Sequence, residues 1–205
     1  MKVCVFCGSA PGKDPEYIKA ADRLGELFVQ NGWGLVYGGG TSGVMGAVAK
    51  ATATRGGQVE GIIPKALIDR EQGGVHPDEA LFGKTTVVHD MHTRKRLMGQ
   101  QADAFVALPG GYGTAEELFE VITWNQLGIH SRPIVILNID GFYDGLVQWI
   151  DNAVQSGFIS SSNRKIVVSA STAEEVIDKI VNYEIPDGRL NLDWSAQTPK
   201  KDSDN

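Results

Sequence analysis

The chain of 205 residues is poor in several things that whole classes of protein need. It has two cysteines, Cys4 and Cys7. That is too few for a disulfide framework or a four-thiolate zinc site. Their Cys-x-x-Cys spacing allows a redox pair, but such pairs sit at helix starts, and this one lies in a strand-like run. An offset of three places the thiols on opposite faces of that strand, so they read as structural thiols in a reducing compartment. The four histidines, His76, His89, His92 and His130, show no metal-ligand spacing, and no metal site is expected. There is no Gly-x-Ser-x-Gly elbow and no lysine closing a glycine loop, so neither a covalent serine nor a P-loop is expected. No cofactor is expected either. Positive charge is scarce. The net charge is −6 and the longest basic cluster is Arg94-Lys95-Arg96, which argues against nucleic acid as a partner. No apolar run approaches the length of a membrane span, and Met1 leads directly into a strand. The expectation is a cytoplasmic protein with no membrane partner.

What is present is alternation. Apolar runs at 2–7, 35–37, 58–63, 85–88, 104–108, 134–137 and 165–168 read as strands. Between most of them lie helical stretches: Asp14-Pro15 to about 30, 44–54, 92–101, 114–128, 143–155, and a last helix capped by Ser171. The pattern predicts an α/β fold, a Rossmann-like, doubly wound parallel sheet of about seven strands with helices on both faces. Residues 1–185 form one nucleotide-binding domain in this reading, and 186–205 a polar, disordered tail. The polar stretch 69–84 reads as a lid or rim loop.

The richest segment is Asp103 to Gly128. A buried strand runs into Pro109-Gly110-Gly111-Tyr112-Gly113, and a helix is expected to start at Thr114. Strand, glycine loop and helix N-terminus together make an anion site, with phosphate the first candidate. Glu117 has two readings. Thr114-Ala115-Glu116-Glu117 fits a capping box, and the same carboxylate can stand beside a bound ligand. A second loop, Gly38-Gly39-Gly40-Thr41-Ser42-Gly43, follows the second strand, which makes Gly39, Gly40, Thr41, Ser42 and Gly43 phosphate-loop candidates. It formally matches G-x-G-x-x-G, with Glu60 downstream as a ribose ligand for NAD. Two glycine loops on one sheet edge, however, suit a single nucleotide held from two sides. Arg94 and Lys95 stand at a helix start, where the dipole disfavours cations. They are either a solvated face or a functional pair.

Pro109-Gly110-Gly111-Tyr112-Gly113-Thr114-Ala115-Glu116-Glu117, together with Gly38 to Gly46 and Met91-His92-Thr93-Arg94-Lys95, resembles the LONELY GUY family. These are cytokinin riboside 5′-monophosphate phosphoribohydrolases, long labelled lysine decarboxylases. The resemblance covers roughly residues 2–183. It implies cleavage of the N-glycosidic bond of an N6-modified adenosine monophosphate, giving free base and ribose 5-phosphate. It implies Arg94 and Glu117 as the catalytic pair, and substrate contacts at Glu71, Arg94, Lys95, Gly111, Tyr112, Gly113, Thr114, Ala115, Glu116, Glu117 and Thr123. It does not support decarboxylation, and no pyridoxal-type lysine site is evident. It also implies a homodimer with the pocket near the interface, in keeping with the apolar positions Phe119, Val121, Ile122, Trp124 and Leu127 on one helix. Two rival readings use the same loops: a non-catalytic nucleotide or molybdenum-cofactor carrier, which does not need Arg94 with Glu117, and an NAD-dependent oxidoreductase.

Overall fold

The computed structural model describes residues 1–74, 76–190 and 192–194. Seven strands form one parallel sheet: β1 (Lys2–Phe6), β2 (Gly34–Tyr37), β3 (Val59–Pro64), β4 (Lys84–Val88), β5 (Ala104–Ala107), β6 (Ile134–Leu137) and β7 (Val167–Ala170). Their order is β4-β3-β2-β1-β5-β6-β7, with every pairing parallel. The central strands are apolar without alternation because both faces are covered. Among the described residues, seven α-helices lie between the strands and an eighth follows β7: α1 (Glu16–Gln30), α2 (Gly43–Thr54), α3 (Ile68–Gln72), α4 (Glu79–Phe82), α5 (Met91–Gln101), α6 (Tyr112–Gln126), α7 (Asp144–Gln155) and α8 (Ala173–Val181).

The sheet separates two apolar layers. Val3, Val5 and Cys7 pack with Leu24, Phe28 and Val48 on one side. Cys4 and Phe6 pack with Met98, Leu118 and Ile150 on the other. The thiols therefore lie on opposite faces, and both are free. The chain reverses its winding between β1 and β5, and that switch point is where an open α/β sheet takes its ligands. Both glycine loops emerge at this carboxyl edge. Glu60 lies at the other end of the sheet, where it pairs with Lys2 (3.3 Å) and accepts a hydrogen bond from Gln101 (3.1 Å). It cannot hold a ribose at the switch point, and the NAD reading falls with it.

Several boundaries differ from the sequence reading. β7 starts at Val167, because residues 163–166 form a 3-10 turn. The cap of α8 is Thr172, whose hydroxyl accepts from the Glu175 N–H, while Glu175 accepts from the Ser171 N–H. The cap is one residue later than expected, and the Glu175 carboxylate reaches back past it to the residue before. The stretch 69–84 is not a loose lid. It holds α3 and α4, and Tyr37 donates to the Phe82 carbonyl at 3.2 Å.

The polar tail also fails to leave the fold at residue 186. Leu190 N–H donates to the Gln126 carbonyl, Arg189 to those of Asn125 and His130, and the Trp194 indole to that of Leu127. A helix end leaves carbonyls without intrahelical partners, and this strap satisfies those of α6. The rest of the expected tail, 195–205, lies outside the described residues. Among the described residues no helix is long and apolar enough to cross a membrane.

Candidate active site

α6 begins at Tyr112, two residues before the expected start, with Gly111 as its N-cap and no side-chain cap. Thr114 and Glu117 therefore lie inside the first turns, and the capping box is not formed. The N–H groups of the first turn point outward without intrahelical partners. Gly111 and Gly113 are exposed, with nothing within 4 Å of where a Cβ would stand, and Tyr112 is 97% exposed. The loop is open. Beneath it, Thr114 is buried, and a Cβ on Gly110 would collide with its hydroxyl at 2.1 Å. The loop is held from below by Gly8 N–H donating to the Pro109 carbonyl (3.0 Å) and by Tyr143 Oη donating to that of Leu108 (2.6 Å).

Glu117 is buried on the floor of this opening, 9% exposed, and among the described residues nothing hydrogen-bonds to it. Burial pushes its carboxyl up to about 7. Arg94 pulls the other way, Glu116 and Glu71 push further up, and Lys95 pulls down. Arg94 is equally buried, at 5% exposed. Its Nε donates to the Ile62 carbonyl (3.1 Å) and one terminal nitrogen to the Gly38 carbonyl (2.9 Å), and Glu71 stands 3.9 Å from that nitrogen. Asp90 caps α5 by accepting from the Thr93 N–H and hydroxyl. The helix start that seemed hostile to a cation is thus offset by an aspartate the sequence reading passed over. Arg94 belongs to the site, not to a solvated face. Glu71 has a raised carboxyl pKa from its own burial, against the pull of Arg94 and Arg70. Its Oε2 is buried with no hydrogen-bond partner. The thiols of Cys4 and Cys7 are pushed up by burial and next by Glu117, so they are neutral and not poised as nucleophiles.

The first glycine loop, with the phosphate-loop candidates Gly39, Gly40, Thr41, Ser42 and Gly43, is more closed by contrast. Thr41 donates its N–H (2.9 Å) and hydroxyl (3.2 Å) to the Glu71 carbonyl, and Gln72 donates to the Gly39 carbonyl at 2.8 Å. Gly40 N–H points at Met45 Sδ. At the start of α2, Val44 and Met45 donate to the Ala10 and Gly8 carbonyls, and Gly43 lies against the Ser9 backbone. Most of what an anion could use there is already taken by protein. Two other expected contacts also shift. Lys95 reaches across to Glu116 (2.5 Å) and Glu120 (3.0 Å). Thr123 is exposed, donates to the Phe119 carbonyl, and lines a separate apolar cleft with Phe119, Ile122 and Trp149, away from Glu117.

A doubly wound sheet with an open anion loop at its switch point, over a buried arginine and a buried, unpartnered glutamate, defines a nucleotide-acting enzyme of the Rossmann-like class. Solved structures share the fold. The molybdenum cofactor carrier protein of Chlamydomonas reinhardtii superposes with a TM-score of 0.63 at 19% identity, over 88% of this chain and 95% of that one. The molybdenum cofactor binding protein of Rippkaea orientalis gives 0.62 at 24%, over 88% and 96%. At such identities only the architecture is shared. Sequence relatives are much nearer. The cytokinin riboside 5′-monophosphate phosphoribohydrolase LOG of Oryza sativa subsp. japonica is 49% identical over 198 residues, covering 97% of this chain and 79% of its own. LOG7 of Arabidopsis thaliana is 51% identical over 183 residues, covering 89% and 82%. Residues 45–180 also match the family described as "Possible lysine decarboxylase". The chain belongs to the LOG family of cytokinin riboside 5′-monophosphate phosphoribohydrolases.

Proposed function

We propose that this protein is a phosphoribohydrolase acting on N6-modified adenosine 5′-monophosphates, with Arg94 and Glu117 as its catalytic pair. It adds water across the N-glycosidic bond, giving the free base and ribose 5-phosphate. The observation that carries the assignment of roles is Glu117: a buried carboxylate on the helix that opens at the second glycine loop, without a hydrogen bond among the described residues, and facing the charge of a buried arginine. Leaving such a group unpaired costs free energy, and a ligand is the natural partner. In glycosidic cleavage the sugar develops positive charge, and an ionised carboxylate beside it stabilises that state. The 5′-phosphate fits the unpaired N–H groups at the start of α6. Arg94 supplies positive charge to the phosphate or the departing base. Glu71, 3.9 Å from the Arg94 guanidinium, adds a second carboxylate that balances its charge.

The working unit in this reading is a homodimer. Trp149 (56% exposed) and Phe158 (85% exposed) frame the apolar cleft beside Thr123, a face that a second copy would cover. A dimer also explains how Thr123 can serve a pocket its own chain does not bring it to. The buried free thiols fit a cytoplasmic setting.

The test is release of free base from isopentenyladenosine monophosphate, AMP and adenosine in one assay. An apolar pocket distinguishes a small hydrocarbon group by only about 1–3 kcal/mol, so the first two differ by degree. Adenosine is expected near zero, because it offers no anion to the loop. Equal cleavage of adenosine and AMP refutes the phosphate assignment. Tight nucleotide binding without any base release favours a carrier, the function named for the molybdenum-cofactor proteins of the same fold.

A further inference from the structure

Arg94 and Glu117 sit on different helices, α5 and α6, which lie side by side on one face of the sheet. The spacing of the pair is therefore the spacing of two helices. Among the described residues, the hydrogen bonds and ion pairs joining α5 to α6 are those of one side chain: Lys95 Nζ to Glu116 (2.5 Å) and to Glu120 (3.0 Å). The two members of the catalytic pair are the sequence neighbours of this bridge, since Arg94 precedes Lys95 and Glu117 follows Glu116. Glu116 and Glu120 are four apart and so share one helix face. The Lys95 side chain is 13% exposed and that of Glu120 is 26%, whereas that of Glu116 is 53%. Water screens the Glu116 arm more, so the shorter distance does not make it the stronger one.

From this geometry we infer that Lys95, Glu116 and Glu120 form a positioning clamp that sets the distance between Arg94 and Glu117, with Glu120 a positioning residue for the reaction. The inference rests on the reading of Arg94 and Glu117 as the catalytic pair. It gives Lys95 a task other than gripping phosphate, since its ammonium is already held by two carboxylates of its own chain. Glu120 lies outside the glycine loop and carries no contact expected of the substrate. Its effect on turnover would pass through Lys95 and α6.

Charge inversion separates the two roles of Lys95. In the full-length protein, steady-state kcat and KM for isopentenyladenosine monophosphate are measured for wild type, Glu120→Gln, Lys95→Glu, and Lys95→Glu combined with Glu120→Lys. A clamp that mis-sets the pair lowers kcat about tenfold in Glu120→Gln with KM within about twofold, because small misplacements of reacting groups are costly. Lys95→Glu falls by roughly a hundredfold. The double inversion rebuilds the bridge with its charges exchanged, a lysine now standing between two glutamates, and kcat recovers at least about tenfold over Lys95→Glu. Circular dichroism of each variant checks that the fold is kept. Glu120→Gln with wild-type kcat, or a double inversion as inactive as Lys95→Glu, overturns the clamp. Failure of the underlying reading looks different, since Arg94→Ala in the same assay would then keep its turnover.

Discussion

Two glycine loops leave the same sheet edge, and they have opposite uses. The loop after β2 is spent on protein. Its carbonyls receive Arg94 and Gln72, its Thr41 donates to the Glu71 carbonyl, and the helix it opens is satisfied by the β1 loop. The loop after β5 is tied to protein only at its base, through the Leu108 and Pro109 carbonyls, and beyond them has exposed glycines and a helix start without a side-chain cap. Similar composition thus makes a socket for the buried Arg94 guanidinium in one case and an exposed turn at a helix N-terminus in the other. Glycine is needed at Gly38 because a Cβ there would stand 2.0 Å from the Arg94 guanidinium. At Gly111 nothing stands in the way. A glycine-rich signature reports close approach, and whether protein or ligand makes that approach is decided by residues far away in sequence.

The sharpest way to probe this contrast is Glu117→Gln. Turnover is expected to fall by about 10²–10⁴, the usual range for loss of a group acting on the reacting bond, while AMP binding by calorimetry persists because the cradle is intact. Activity near wild type would remove Glu117 from the chemistry. Next in size is a matched pair of glycine variants. Gly38→Ala should expel the Arg94 side chain, costing on the order of 3 kcal/mol from a buried charge stripped of its carbonyls and most of the activity. Gly111→Ala should leave the melting temperature within about 2 °C of wild type, since its backbone φ of −99° suits any residue. Equal melting temperatures for the two variants would erase the distinction between the loops.

A pH-dependent expectation follows from the same carboxylate. Burial raises the carboxyl pKa of Glu117 in the folded state from its ordinary 4.5 to about 7. The native state then binds more protons than the unfolded state between those values, so stability falls as pH rises through that window and the cost is full above it. Glu117→Gln should stabilise the protein by up to about 3 kcal/mol at pH 8 and by little at pH 5. Thermal melts at the two pH values measure it, and a gain that is the same at both would contradict a buried, ionised Glu117. The wild-type kcat/KM profile should carry an acidic limb near pH 7 from the same group. The smallest effect is expected for Gln72→Ala, which removes one hydrogen bond from the closed loop. A loss of about 1–2 kcal/mol in stability should come with an unchanged preference for phosphorylated over unphosphorylated substrate. If that preference collapsed, the first loop would be a phosphate cradle after all.

The sequence carried the architecture well, because it is written in local patterns. Unbroken apolar runs marked the buried parallel strands, and the strand–glycine–helix passage at 104–126 marked the turn from β5 into α6. Arg94 and Glu117 stood out as candidates through their motifs, and both prove to be buried. What was not legible depended on distant partners. The closure of the first loop rests on Glu71 and Gln72, some thirty residues on. The use of Lys95 rests on a helix that begins after the next strand. Whether Thr114 was a cap or an interior residue turned on where α6 starts, which is Tyr112. The strap at 186–194 looked polar enough to be free, and its anchoring is to backbone carbonyls, which no side-chain pattern reveals.

That strap has a consequence in time. The carbonyls at the end of α6 belong to residues 125–127, and their partners Arg189 and Trp194 are 64 and 67 residues further along. A chain growing from its N-terminus has made both glycine loops, Arg94 and Glu117 well before it has made the groups that finish the helix carrying Glu117. Pairings of such long sequence separation form late. The helix that carries Glu117 is therefore among the last parts of the molecule to be completed, and a nascent chain that already holds both glycine loops still waits on Arg189 and Trp194, beyond α8.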